Sequence, residues 1–152
     1  MTRILVVEDE PIQCANLQFA LAQEGYRVQT AADPDEAIAI AEWFCPHLLV
    51  VDWMLRSECD GRMLMRRLQE QNPNLRTIII TGYPLYELEE MFDDWDDFEI
   101  MEKPFSLTTL LHSVRAHARE IDRALECQRT ASLDGPVGCF EAQRKLEWVP
   151  AS

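Results

Sequence analysis

Six residues carry the chemistry in this sequence. Glu8, Asp9 and Glu10 are consecutive, Asp52 follows the apolar run Leu48-Leu49-Val50-Val51, Thr81 follows Ile78-Ile79-Ile80, and Lys103 stands before Pro104. Carboxylates gathered in one place repel and raise one another's pKa unless a cation sits among them. An all-oxygen acidic pocket suits Mg²⁺, which keeps several of its waters, and a Mg²⁺ site is expected here. With a hydroxyl and an ammonium added, the set holds the parts of phosphoryl transfer. The metal and Lys103 would neutralise charge on the transferred group, Thr81 would hydrogen-bond one of its oxygens, and a carboxylate would be the nucleophile, forming an acyl phosphate.

Residues so far apart in the chain need a fold that collects them. Short β-branched runs alternate with helical patterns, the signature of βα units around a parallel sheet. Strands are predicted at Ile4 to Val7, Arg27 to Ala31, Leu48 to Val51, Thr77 to Ile80 and Glu99 to Met101. The first, third and fourth are apolar without alternation, as central strands covered on both faces should be. Residues at the carboxyl ends of such strands meet at one crevice, and all six chemistry-bearing residues lie at strand ends. Asp52 is the candidate nucleophile because it ends the middle strand, with the acids on one side and the hydroxyl on the other.

The connecting helices follow from caps and apolar stripes. One runs from Pro11 to about Glu24, with Gly25 as its stop. The next follows Asp33 as cap and carries Ala37, Ile40, Ala41 and Phe44 on one face. A third spans about Gly61 to Gln71, and a fourth, short and acidic, about Leu85 to Phe92. The fifth opens at Ser106 with a stripe from Leu107 through Leu110, Leu111, Val114, Ala118 and Ile121 to Leu125. It would be roughly 30 Å long, so its last two turns are expected to project toward a partner. After Cys127 the pattern lapses into a linker by composition, and Phe140 to Val149 is predicted as a short amphipathic helix.

Four segments in this order and spacing resemble the receiver domain of two-component response regulators: Ile-Leu-Val-Val-Glu8-Asp9-Glu10, Leu-Leu-Val-Val-Asp52-Trp53-Met54-Leu55, Ile-Ile-Ile-Thr81-Gly82 and Glu102-Lys103-Pro104-Phe105. The resemblance covers about residues 2 to 120. It implies an α/β fold, doubly wound, with a five-stranded parallel sheet in the flavodoxin-like order 2-1-3-4-5. It also implies that Asp52 takes a phosphoryl group from a phosphohistidine of a sensor histidine kinase or phosphotransfer protein and so switches a protein–protein contact. Asp9 and Asp52 would be direct Mg²⁺ ligands, Glu8 would act largely through water, and the Met54 backbone carbonyl would complete the protein's share. Thr81 and Lys103 would contact the phosphoryl group. The Lys103-Pro104 peptide would be cis, a form that costs little before proline. The only catalysis implied is the domain's own phosphotransfer and slow dephosphorylation. A homodimer through the fourth helix, fifth strand and fifth helix is a further contact the family suggests.

The sequence departs from the family pattern in three places. Ile100 stands where members carry a switching aromatic, three residues before the lysine, and Phe98 and Tyr83 are both possible substitutes. Arg56 replaces a common proline, and Asp60-Gly61 comes one residue late, so the loop beside Asp52 is read as lengthened. Met54 and Tyr83 occupy the positions that gate water attack in the family, and both are bulky, so a long-lived phosphoryl group is expected.

Composition narrows the remaining choices. The 152 residues suit one domain with a modest extension; the expected division is a receiver unit at 1–120 and a helix extension and tail at 121–152, without a separate effector domain. Twenty-seven acids against 14 bases give a net charge of −13, which argues against direct nucleic acid binding. Nine of those acids and no base lie between Glu87 and Glu102, a solvated face or a surface that selects a basic partner. Trp95 within it is either a core plug or an interface anchor. Five scattered cysteines indicate neither a disulfide framework nor a zinc site, and no apolar run approaches a membrane span. A cytoplasmic protein with no membrane contact is expected.

Two other readings share parts of this pattern. Aspartate-nucleophile phosphatases usually place a general acid two residues after the nucleophile, where this chain has Met54. A flavin carrier of similar fold would need a donor-rich loop after the first strand, where Glu8-Asp9-Glu10-Pro11 presents repelling charge and a missing N–H.

Overall fold

The computed structural model describes residues 1–55, 58–88 and 98–134. Five strands, β1 (Arg3–Val7), β2 (Arg27–Ala31), β3 (Leu48–Asp52), β4 (Arg76–Thr81) and β5 (Glu99–Glu102), form one parallel sheet in the order β2-β1-β3-β4-β5. Between and after them come α1 (Pro11–Gln23), α2 (Pro34–Phe44), α3 (Gly61–Gln71), α4 (Leu85–Leu88) and α5 (Leu107–Asp134).

Alternate strand residues point to opposite faces, and each face builds its own core. On one, Ile4, Val6, Leu48, Val50, Ile78 and Ile80 pack against Leu17 and Leu21 of α1 and Leu110, Val114 and Ile121 of α5. On the other, Leu5, Val7, Leu49, Val51 and Ile79 meet Ala37 and Ala41 of α2, Leu64, Met65 and Leu68 of α3, and Leu88 of α4. The unalternating strands β1, β3 and β4 are therefore the buried centre, and the more polar β2 and β5 are its edges.

Side-chain caps fix where the helices start, and hence where each strand end lies. The Glu10 carboxylate accepts the N–H groups of Ile12 and Gln13 above Pro11, Asp33 accepts that of Glu36, and Asp60 accepts that of Met63. The predicted strands agree with those observed to within one residue at each end, and the third helix agrees at both ends.

The fifth helix is longer than its apolar stripe predicts. It continues through the polar stretch after Cys127 to Asp134, 28 residues in all, about 42 Å at 1.5 Å per residue. The linker expected from Gln128 onward is therefore corrected as far as Asp134: loss of apolar periodicity marks loss of burial, whereas Gln128, Arg129 and Ala131 still favour helix. The predicted helix at Phe140 to Val149, the end of the fourth helix, Trp95, Arg56 and Cys139 lie outside the described residues. No disulfide joins Cys14, Cys45, Cys59 or Cys127. Among the described residues no helix is long and apolar enough to cross a membrane.

Candidate functional site

At the carboxyl edge of the sheet the ladder extends one residue past several strands. The Glu8 N–H donates to the Ala31 carbonyl at 3.1 Å, Trp53 N–H to the Ile80 carbonyl at 2.7 Å, and Lys103 N–H to the Thr81 carbonyl at 2.7 Å. These bonds hold the loops in the frame of the strands, so Glu8, Asp52, Thr81 and Lys103 share one rigid rim. The Lys103-Pro104 peptide is cis.

The three consecutive acids do not act alike. Glu10 caps α1, while Glu8 and Asp9 join Asp52, with one carboxylate oxygen from each lying within 4.8 Å of the others. Glu8 and Asp52 are buried and Asp9 is half-buried. Burial is the main cause that pushes the Glu8 carboxyl up to about 7, followed by its hydrogen bond to Asp52 and the charge there. The Glu10 N–H at 3.1 Å and the Lys103 ammonium act in the opposite direction without cancelling it. A cluster of this kind calls for a cation.

Asp52 is held at both oxygens. Its Oδ1 accepts the Met54 N–H at 3.0 Å, and its Oδ2 lies 2.6 Å from Lys103 Nζ. Thr81 is fully buried at the next strand end, and its Oγ1 accepts the Tyr83 N–H at 2.9 Å, leaving the hydroxyl proton to be donated elsewhere. Met54 and Tyr83 are both exposed at this edge. Ile100 and Phe98, two apart on the fifth strand segment, pack on the same face, against the α2–α3 core.

One residue at this site escaped the sequence reading as a functional position. A Cβ on Gly61 would lie 2.6 Å from the Asp52 carbonyl oxygen. The start of α3 therefore rests directly on the backbone of Asp52, aided by the Gly61 N–H donating to the Trp53 carbonyl at 3.0 Å. The Asp60-Gly61 pair signals a helix start, but only the fold shows what the missing side chain makes room for. His47, silent in the sequence, is half-buried and accepts the Arg3 N–H through Nδ1 at 3.0 Å. His112 and His117 do not combine into a metal site; His117 instead links Arg76 of β4 to Glu99 of β5.

Comparison with known proteins agrees with this geometry. Residues 4–115 match the family model described as the response regulator receiver domain. The chain is 32% identical over 118 residues to the probable transcriptional regulatory protein TcrX of Mycobacterium tuberculosis, covering 76% of this chain and 49% of that protein. It is 34% identical over 127 residues to the alkaline phosphatase synthesis transcriptional regulatory protein PhoP of Bacillus subtilis, covering 80% and 50%. The crystal structure of a CheY-like response regulator receiver domain protein from Methanospirillum hungatei superposes with a TM-score of 0.68 at 25% identity, covering 82% of this chain and 98% of that one. The chain thus spans about half the length of these curated relatives. With the five-stranded order, the acid cluster and the family match in agreement, the chain belongs to the response regulator receiver domain family of two-component signal transduction.

Proposed function

We propose that Asp52 is the phosphoacceptor, taking a phosphoryl group from a phosphohistidine on a sensor histidine kinase or phosphotransfer protein. An Asp52 carboxylate oxygen attacks phosphorus, the P–O bond forms as the P–N bond breaks, and the imidazole nitrogen leaves with the bonding electron pair. The observation that carries this reading is Lys103 Nζ at 2.6 Å from Asp52 Oδ2, beside a second and third carboxylate.

The donor set fits Mg²⁺: three carboxylates whose oxygens converge, with the Glu8 carboxyl raised first by burial and then by its hydrogen bond to Asp52 and the charge there. Glu8, Asp9, Asp52 and the Met54 backbone carbonyl are the residues we assign to it, and when bound it would supply charge neutralisation on the phosphoryl oxygens. Lys103 and Thr81 serve those oxygens as ammonium and hydroxyl. Water later cleaves the acyl phosphate, regenerating Asp52 and releasing phosphate. The domain promotes its own phosphorylation and slow dephosphorylation and turns over no separate substrate.

Phosphorylation shifts the population between two conformations, and the output is a changed contact. We assign that contact to the surface of α4, β5 and α5, with a second copy of the chain or a downstream protein as occupant. The relatives' names describe transcriptional regulators; here nucleic acid is not a direct partner of residues 1–120, and the setting is cytoplasmic. We assign residues 1–120 to the receiver unit and 121–152 to an extension of it.

Chase of a labelled phosphohistidine protein into this chain tests the reading. Label should move to the native chain and not to Asp52→Asn; equal transfer to both would exclude Asp52 as the acceptor.

A further inference from the structure

The sheet's amino edge is as distinctive as its carboxyl edge. Arg27 of β2 is level with Arg3 of β1, Arg3 precedes the Ile4–Leu48 pair and so faces His47, and Leu48 is level with Arg76 of β4. His47 joins the ladder itself, its N–H donating to the Arg3 carbonyl and its carbonyl accepting the Arg76 N–H. A chain of net charge −13 thus lines three arginines and a histidine along one edge, at the opposite end of the strands from Asp52.

Between that edge and the later turns of α5 lies a cavity of about 220 Å³. This is below the roughly 300 Å³ at which pockets for drug-sized ligands begin, so an occupant would be small. One wall is apolar, made by Ile121, Ala124 and Leu125, all beyond residue 120. The other is polar, with Arg3, His47, Arg76, the Glu120 carboxylate, Asn72 and Asn74.

The polar wall selects the sign of the charge. Arg76 pairs with Glu120 and donates from Nε to His117 Nδ1 at 2.9 Å, so its charge is matched within the protein. Arg3 donates from Nε at 2.9 Å to the Cys45 carbonyl, a neutral acceptor that fixes the guanidinium plane without cancelling its charge. His47 accepts through Nδ1, so its neutral ring carries the proton on Nε2 as a donor. Burial and then Arg3 hold His47 down to about 4, and it is neutral at pH 7.

One uncancelled guanidinium, one imidazole N–H and an apolar wall describe a receptor for an anion with a single charge and a hydrocarbon body. We infer that this cavity is a second binding site, for a small monocarboxylate whose carboxylate meets Arg3 and His47 and whose body lies on Ile121, Ala124 and Leu125. Because the apolar wall is the extension of α5, an occupant holds that extension against the sheet.

The test is a titration of the full, ¹⁵N-labelled chain with sodium hexanoate, followed by amide shifts, with hexylamine as the isosteric control. Saturable shifts at His47, Ala124 and Leu125 are expected, with a dissociation constant of about a millimolar, and none of them from hexylamine. Arg3→Gln should weaken binding about tenfold or more. Ala124→Trp, at an exposed helix position and able to fill the cavity, should abolish it while Asp52→Asn leaves it unchanged. Absence of saturable shifts, equal shifts with hexylamine, or binding that survives Ala124→Trp would each overturn the proposal.

Discussion

Lys103 and Asp52, 51 residues apart, meet at 2.6 Å between Nζ and Oδ2. Their meeting depends on two neighbouring strand ends, since Lys103 N–H is bonded to the Thr81 carbonyl and Trp53 N–H to the Ile80 carbonyl. The ammonium is the one base placed against three carboxylates among the described residues of this cluster.

Removing that ammonium should therefore be felt twice. Lys103→Met leaves Asp52 beside Glu8 without its counter-charge, and a loss of about 1–3 kcal/mol is expected in metal-free urea denaturation, less than for a fully buried pair because the lysine is partly exposed. Phosphorylation by a small-molecule donor should slow by about tenfold or more, as loss of a charge-stabilising group does. Unchanged stability and rate together would show that the contact is incidental.

Glu8 sets a pH dependence whose sign is fixed by its raised pKa. A carboxyl near 7 in the folded state and 4.5 unfolded contributes stability that is present below 4.5 and lost as pH rises through 7. Glu8→Gln should therefore raise the melting temperature of metal-free protein at pH 8 more than at pH 5. Mg²⁺ should stabilise the native chain more at pH 8 than at pH 5, and melting curves with EDTA or Mg²⁺ at both values check both statements.

Gly61 and Gly82 should respond unequally to alanine. At Gly61 the new Cβ meets the Asp52 carbonyl oxygen at 2.6 Å, so either α3 or the Asp52 strand end must move; a cost of about 1–3 kcal/mol and slower phosphorylation are expected. At Gly82 the Cβ has open space, and the change should stay within about 0.5 kcal/mol. Denaturation midpoints and phosphorylation rates of the two variants decide.

Met54 and Tyr83 are expected to slow water attack on the acyl phosphate. Replacing both with alanine should shorten the half-life of the isolated phosphoprotein in Mg²⁺ by about tenfold, a barrier change of about 1.4 kcal/mol. Label release over time measures it, and rapid loss from the native protein would contradict the expected long lifetime.

The strands and the site were legible because apolar runs such as Ile78-Ile79-Ile80 end abruptly in polar residues, and a parallel sheet brings those ends together. The end of α5 was not, because apolar spacing reports burial, and the helix runs on from Gln128 to Asp134 after the apolar stripe has ended at Leu125. The split of Glu10 from Glu8 and Asp9 was hidden for a related reason: three adjacent acids look alike until a helix axis decides which one faces its N–H groups. Gly61 and the edge formed by Arg3, His47 and Arg76 depend on register between distant segments, which single-residue signals do not contain.

The central claim is that Asp52 forms an acyl phosphate in a Mg²⁺-dependent way, and intact mass after treatment with acetyl phosphate tests it most directly. The native chain should gain one phosphoryl group only when Mg²⁺ is present, lose it to hydroxylamine as an acyl phosphate must, and show no gain in Asp52→Asn. A gain that persists in Asp52→Asn, or that is indifferent to Mg²⁺, would contradict the account.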